Sequence, residues 1–328
     1  MAFTKNFRTP VQLTAVARAS FRATVEGYAT SALLPSQANY TLDYNFAVGQ
    51  NALPAAANFR SFNTASDVGS TQAGETRSGK LPPISRRMAV DEYQQLTMYG
   101  QTDAIGLKFE EYAELVGQMI GLRTVLAQAE AIEDGKVSIA ERGLSFEVDF
   151  GRKAANTATA ATAWSDVANA DPIRDLMAFR QTFGAVSRLI ISRQSMTYLM
   201  QNANLIAQVG SAATIISEAM VRTILSNYGF GTVEVDESIL TDQNGAERPL
   251  FSQDKVIFIG AGQVGRTDLG VTAEAIAPEN GISGADQAGL FAGATAQEDP
   301  SGYNVLVSGI ILPVVTAANK TGTLDVSA

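Results

Sequence analysis

The chain contains no cysteine, no histidine and a single tryptophan, Trp164, in 328 residues. Without cysteine it can form no disulfide, thiolate zinc site, iron–sulfur cluster or thiol nucleophile. Without histidine it lacks the commonest general base, the commonest metal ligand and the side chain that titrates nearest neutral pH. Carboxylates, lysines and tyrosines are what remain for catalysis, so most reaction classes have lost their usual groups. Charged residues make up only 17% of the chain against 46% hydrophobic, enough apolar side chain for a sizeable core. No run approaches the ~20 apolar residues of a membrane span. The longest candidate, Val305–Val315, is short and holds Ser308, Gly309 and Pro313. Residues 1–22 carry Lys5, Arg8, Arg18 and Arg22 without an uninterrupted apolar stretch, so no secretory leader is expected. The expectation is a soluble chain made in a cytoplasm.

What charge there is lies unevenly. The net charge is −9, yet residues 1–90 hold nine Lys and Arg against four Asp and Glu, and residues 91–328 hold fifteen against twenty-nine. A basic N-terminal arm beside an acidic body implies that the arm lies on acidic surface, its own or a neighbour's. The acidic body disfavours specific binding of a phosphate backbone, which needs clustered Lys and Arg.

Helical and extended signals follow in a readable order. Thr9-Pro10-Val11-Gln12 supplies a cap, a proline suited to the first helical turn and a glutamine able to close a capping box. Leu13, Ala17, Phe21, Val25 and Tyr28 recur at helical spacing, with Gly27 near the stop. Tyr40, Leu42, Tyr44 and Phe46 alternate as on one face of a strand. From Phe62 to Lys80 the chain is almost devoid of apolar residues, and after Leu81-Pro82-Pro83 it reads as extended again over Ile84–Val90. Two extended arms around a polar tip predict a long projecting hairpin, which cannot bury its own faces and needs a surface to lie on. Ile105, Phe109, Tyr112, Val116, Met119, Leu122, Leu126 and Ala129 predict one helix over 104–134, roughly 45 Å long.

A second hairpin is expected over Val137–Phe150 around Arg142-Gly143, and Ala154–Ala170, biased to Ala, Thr and Asn, reads as a linker or long loop. Asp171-Pro172 opens a helix to about Thr182, a strand follows at Val186–Ile191, and helices follow over 193–202 and 214–228. Further strands are expected at Thr232–Val235 and Val256–Ile259. The strand-like Asn304–Val307 and Ile310–Val315 are expected to return to the sheet of the Val137–Phe150 hairpin, because lone strands are not stable. The fold class is α+β.

One motif points elsewhere. Val256–Ile259 runs into Gly260, Gly262 and Gly265, a strand followed by the GxGxxG spacing that cradles a dinucleotide pyrophosphate. The glycines must open a helix, yet only Arg266–Ala277 separates them from Pro278, too little for a helix and the next parallel strand. Glu110, Glu111 and Glu114 read as a solvated helix face, and Arg86-Arg87 as an ion-pairing segment of an extended arm. No catalytic constellation, cofactor site or metal site is expected.

This order of parts resembles the Hong Kong 97 type capsid fold, with an N-terminal arm (1–40) and an extended β-hairpin loop (41–95). A peripheral domain (96–166 and 276–328) with a spine helix at about 104–134, and an axial domain (167–275), complete the comparison. Within that fold the residues resemble the lambda-like major head proteins, the capsid protein E family. The resemblance runs through Phe146–Arg152, Trp164-Ser165, Asp171–Phe179, Val256–Gly260, Asn304–Val315 and Thr323–Val326. It implies a non-enzymatic major capsid protein of a bacteriophage virion, assembled in the host cytoplasm. Hexamers and pentamers of the chain would build an icosahedral shell, with scaffolding, portal and decoration proteins as partners. Packaged double-stranded DNA would be touched non-specifically, and no membrane would be touched. Intersubunit contacts are expected from Arg60, Arg77, Lys80, Arg86 and Arg87 meeting carboxylates such as Glu110, Glu111 and Glu114. Some members of the wider fold crosslink a loop lysine to a neighbour's asparagine; Lys80 is the only lysine between Lys5 and Lys108, and no partner motif matches. Two alternatives stay open: an encapsulin-type compartment shell of the same fold, and an NAD-dependent oxidoreductase resting on Gly260, Gly262 and Gly265.

Overall fold

The computed structural model describes residues 3–47, 59, 62, 75–210 and 215–327. Helix α1 (Pro10–Glu26) begins with the reciprocal cap its sequence dictates: Thr9 Oγ1 accepts from the Gln12 amide, and Gln12 Oε1 accepts from the Thr9 amide. After α2 (Thr30–Leu33) and β1 (Ser36–Ala38) comes a two-stranded ribbon of β2 (Asp43–Ala47) and β3 (Thr76–Lys80), with Asp43 opposite Lys80 and Ala47 opposite Thr76. β4 (Pro83–Val90) and α3 (Glu92–Thr97) lead to α4 (Ala104–Asp134), an unbroken helix of 31 residues. It is followed by the hairpin β5 (Lys136–Glu141) and β6 (Leu144–Asp149). Then come β7 (Thr157–Thr159), α5 (Pro172–Phe183), β8 (Arg188–Ser192), α6 (Arg193–Gln201), α7 (Ala203–Val209), α8 (Glu218–Asn227) and β9 (Thr232–Asp236). The chain closes with β10 (Ile239–Thr241), β11 (Glu247–Pro249), β12 (Lys255–Ile259), β13 (Gly265–Leu269), α9 (Ala273–Ile276), β14 (Phe291–Gln297), β15 (Gly302–Val315) and β16 (Thr321–Asp325).

Two five-stranded sheets organise these elements. In the first, the 14-residue β15 is the shared strand: its first half pairs with both β14 and β4, and residues 311–315 pair with β13, which carries β1. α4 packs on β15, and α1 packs on α4 and β14, burying Leu13, Phe21, Phe109, Val116, Val305 and Leu312 in one core. The second sheet runs β7-β16-β12-β8-β9. Its central strands are apolar on both faces, as strands covered on both sides must be. Leu189, Ile191, Val256 and Phe258 join Trp164, Phe179, Leu199 and Leu225 in a second core, while Ile190, Ile257 and Ile259 face the first.

The burial of α4 changes along its length. Over its first two turns and middle it buries a stripe, including Phe109, Tyr112, Val116 and Ile120. From Thr124 to Glu133 every residue except Glu130 is buried, because the helix there runs between the two cores and uses small side chains (Ala127, Ala129, Ala131) to fit.

Three expectations from the sequence need correction. The strand that returns from the projecting loop is Thr76–Lys80, and Ile84–Val90 instead lies in the main sheet beside β15. Pro82 and Pro83 have no amide hydrogen to continue the β2 ladder, so the chain leaves it there. Of the four residues expected on one strand face, Tyr44 and Phe46 lie on β2 and are buried, whereas Tyr40 and Leu42 precede it and are exposed. The closing strand β15 does not join the β5–β6 hairpin. That hairpin is a separate ribbon, with Phe146 beside Tyr44 and Phe150 beside Phe46 of β2. Of the two readings of 154–170, the structure has the long loop and not the linker: Thr157–Thr159 pairs with β16, and Trp164 is fully buried with its Nε1 donating to Asp175 at 3.1 Å.

Candidate assembly surfaces

Lys5, Arg8 and Arg18 of the basic arm make their polar contacts within their own subunit. Arg8 donates through Nη1 and Nη2 to the Asp103 carboxylate (2.7 and 2.5 Å) and through Nε to Glu110. These two carboxylates raise its pKa further above the ordinary arginine value. Lys5 donates to the Glu279 carbonyl at 2.5 Å, and Arg18 to the Leu290 and Asp286 carbonyls at 2.7 and 2.6 Å. Sequence reasoning allowed the acidic surface to belong to the chain itself or to a neighbour, and for Arg8 it is the chain itself. No sequence signal marked Asp103, which stands in the left-handed region (φ 59°) just before α4.

The expected intersubunit residues divide into two groups. Arg77 on β3 pairs with Glu75 (3.2 Å) and Asp149 (3.3 Å) and donates to the Asp149 carbonyl. Glu110 is held by Arg8, and Glu111 by Lys108 at 2.8 Å one helical turn away. These three are occupied inside the subunit. Lys80, Arg86, Arg87 and Glu114 are exposed and have no ion-pair partner among the described residues. Arg60 lies outside the described residues.

The C-terminal end of α4 is locked to the second sheet by a buried polar cluster that sequence reasoning missed. Glu133 accepts from Lys255 Nζ (2.7 Å) and from the Ser252 amide (2.9 Å), and its carbonyl accepts from Thr323 Oγ1 (2.6 Å). Arg152 caps the same end, donating to the Ile132 and Glu133 carbonyls. Burial lowers the Arg152 pKa, with Asp134 and Glu133 opposing. The only sequence hint was Arg152 itself, inside a segment quoted for family likeness. The chain separation between 133, 152, 255 and 323 hid the rest.

The glycine motif has a different role from the one it suggested. A strand, β13, follows it where a dinucleotide fold requires a helix. Gly262 takes φ 85° in the connecting turn, and Gly265 sits so tightly against Val314 and Val315 of β15 that no side chain fits. Among the described residues no group of three or more Asp or Glu is placed to hold a metal ion, and no helix is long and apolar enough to cross a membrane.

A long helix laid on a sheet, a two-stranded ribbon before it and a second α+β body after it make up the Hong Kong 97 type capsid fold. The chain belongs to the phage major capsid protein E family, whose model matches residues 9–326. It is thus a structural protein of the phage capsid shell, and this family decides between the phage and compartment-shell readings. Similar solved structures include a prophage capsid protein of Escherichia coli CFT073 (15% identity, TM-score 0.64, covering 97% of this chain and 99% of that one). A phage-related protein from Bordetella bronchiseptica RB50 is similar at 13% identity and TM-score 0.60, covering 100% and 98%. The capsid of Myoviridae phage XM1 is similar at 11% identity and TM-score 0.50, covering 90% of each chain. No curated protein sequence matches the chain.

Proposed function

We propose that the chain assembles as hexamers and pentamers into an icosahedral head that encloses double-stranded phage DNA, in the cytoplasm of the host. The subunit divides, in this reading, into an arm (1–40), a loop (41–95), a peripheral domain (96–166 and 276–328) and an axial domain (167–275). The work of the chain is to make intersubunit surface, without catalysis. Scaffolding and portal proteins act during assembly, a decoration protein binds afterwards, and the DNA is contacted without base specificity.

The observation that carries the contact surface is the set of exposed charges with no ion-pair partner among the described residues. Arg86 and Arg87 stand together on β4, Lys80 ends the ribbon, and Glu114 stands on the open face of α4. The β2–β3 ribbon lies across an adjacent subunit and brings Lys80 to carboxylates there, while Arg86 and Arg87 meet a neighbour's carboxylates from β4 in the main sheet. Exposed pairs contribute only ~0–1 kcal/mol each, but every copy repeats them around a closed shell. Reversing Arg86 and Arg87 to Glu is expected to leave a folded monomer that forms no particles in electron micrographs at physiological salt. Normal particles from that variant would remove the charge-pairing reading, and normal particles after deletion of residues 62–78 would remove the clamp.

A further inference from the structure

Asparagine stands directly before glycine twice in the chain, at Asn244-Gly245 and at Asn280-Gly281. Such a pair can react with itself, because a following residue without a Cβ leaves its nitrogen free to approach the asparagine side chain. The structure sets the two pairs apart. Asn244 is exposed at the tip of the β10–β11 ribbon, in the turn that joins Thr241 to Glu247. Asn280 is only 4% exposed, and its Nδ2 donates to the Glu274 carbonyl at 2.7 Å.

In both turns the glycine amide is held by a carbonyl, Gly245 by Asp242 at 3.1 Å and Gly281 by Pro278 at 3.2 Å. The difference lies in what it takes to free them. Leu240 and Leu250 anchor the base of the ribbon in the first core, but the ladder is three pairs long and includes Pro249, which has no amide to donate. A two-stranded ribbon of that length has little stability of its own. Its turn is closed further by Asp242, whose carboxylate accepts from the Asn244 and Ala246 amides at 2.8 and 2.9 Å. Residues 243–246 are all exposed, so these bonds lie in water and open locally at low cost. Freeing Gly281 means lifting Asn280 out of a packed body, where Ala275 and Ile282 on either side are buried with Phe291.

We propose that Asn244 is a self-modifying site, its side-chain amide converted to a carboxylate through attack by the Gly245 nitrogen, while Asn280 is held unreactive. When the turn opens, the Gly245 nitrogen bonds to Asn244 Cγ and the Cγ–Nδ2 bond breaks. Ammonia leaves, carrying the proton of the Gly245 amide, and a five-membered imide remains. Water then opens the ring. Addition at Cγ gives aspartate, and addition at the main-chain carbonyl gives isoaspartate, whose backbone is longer by one methylene. The sum is amide plus water to carboxylic acid plus ammonia, with no oxidant or further group. Asp242 slows the step by keeping the turn closed. Either product sets a new negative charge between Asp242 and Glu247, so the ribbon tip grows more acidic as the chain ages. The chemistry belongs to the single subunit and does not depend on the shell reading.

The test ages the full-length chain in neutral buffer and maps it at intervals by mass spectrometry, with isoaspartate scored by enzymatic methylation. The peptide that carries residue 244 is expected to gain the mass of an amide turned acid about tenfold faster or more than the peptide that carries residue 280, since each rate scales with how often its turn opens. Asp242→Ala is expected to speed conversion at 244 about threefold or more and to leave 280 unchanged. Asp242→Asn, which keeps an acceptor oxygen, is expected to restore the slow rate. Equal rates at 244 and 280 would overturn the proposal. So would an unchanged Asn244 over an interval in which a free peptide of residues 238–250 converts completely. Slower conversion in Asp242→Ala would overturn the role given to Asp242.

Discussion

A Cβ built on Gly117 would lie 2.6 Å from the carbonyl oxygen of Ala17, so the arm helix α1 and the spine helix α4 meet backbone against backbone. Ser20 Oγ donates to the Glu114 carbonyl one turn along the same seam. Alanine at 117 gains roughly 1 kcal/mol of helix propensity over glycine, but the obstacle is main chain and cannot rotate away. Gly117→Ala is therefore expected to destabilise the subunit by about 1–3 kcal/mol net. It should also expose α1 to limited proteolysis before the rest of the chain. A thermal midpoint equal to or above that of the wild type would show that the seam is looser than this contact.

The cluster at the other end of α4 gives a prediction with a pH signature. Glu133→Ala leaves Ser252 without its acceptor and Lys255 with Asp134 alone, at 3.0 Å. A fully buried pair broken on one side costs ~3–5 kcal/mol, and because the Lys255 side chain is 27% exposed, about 2–3 kcal/mol is expected here. Burial opposes the charge on Lys255, but hydrogen bonding and charge from Glu133 and Asp134 more than offset it and raise the pKa. A raised folded value means the stabilisation is fully present below the ~10.4 of a free lysine. It is lost as pH rises through the folded value. Denaturant midpoints from pH 8 to 12 should fall more steeply for wild type than for Lys255→Met.

These two ends of α4 show what the sequence could and could not disclose. The helix itself was legible to the residue, since Ile105 to Ala129 repeat at helical spacing and Gly135 stops it. So was the cap at Thr9, a local signal of four residues. Strand partners were not legible: β15 had apolar residues enough for any sheet, and only the 14-residue length it shares with β4, β13 and β14 decides its place. At 154–170 composition left a linker or a long loop open, and it did not show that the loop packs, with Ala160, Trp164 and Ala170 in the second core. Of the assembly candidates, Arg77 and Glu110 were sound as charges yet paired within the subunit. Their partners Asp149 and Arg8 lie 72 and 102 residues away.

Glu130 is the one residue between Thr124 and Glu133 that is not buried outright, and it accepts from the Ser138 amide at 2.8 Å. Burial pushes its carboxyl pKa up, against the Ser138 hydrogen bond and the charge of Arg123. A raised carboxyl pKa means the folded state favours the protonated form, so ionised Glu130 costs stability at neutral pH. Its environment is most favourable below the ~4.3 of a free glutamate. Gln keeps the acceptor for Ser138 and removes the charge. Glu130→Gln is expected to raise the thermal midpoint at pH 7, with the gain disappearing as pH falls toward 4. A midpoint lowered at pH 7 would mean that attraction to Arg123 outweighs burial.

The glycine-rich turn after β12 separates a nucleotide site from a packing device. If these glycines cradled a pyrophosphate, Gly262 would be the one whose substitution abolishes binding while the fold survives. The structure ranks them by packing instead. A Cβ on Gly260 meets only Lys320, no closer than 3.4 Å, which is ordinary contact, so Gly260→Ala should change stability by less than about 0.5 kcal/mol. Gly262→Ala forces a side chain into φ 85°, which costs roughly 1–2 kcal/mol. Gly265→Ala places a methyl 2.8 Å from the Val315 Cα and 2.9 Å from Leu34 Cδ2, besides striking the Val314 carbonyl. Two of those three obstacles are backbone of β15, so β13 must separate from it, and this variant is expected not to yield folded subunit. Titration calorimetry of the wild type with NAD is expected to show no saturable heat. Saturable heat that Gly262→Ala removes without unfolding the chain would mean that the turn binds a nucleotide after all, and the order of the three stabilities would then have to be explained by ligand contact instead of strand packing.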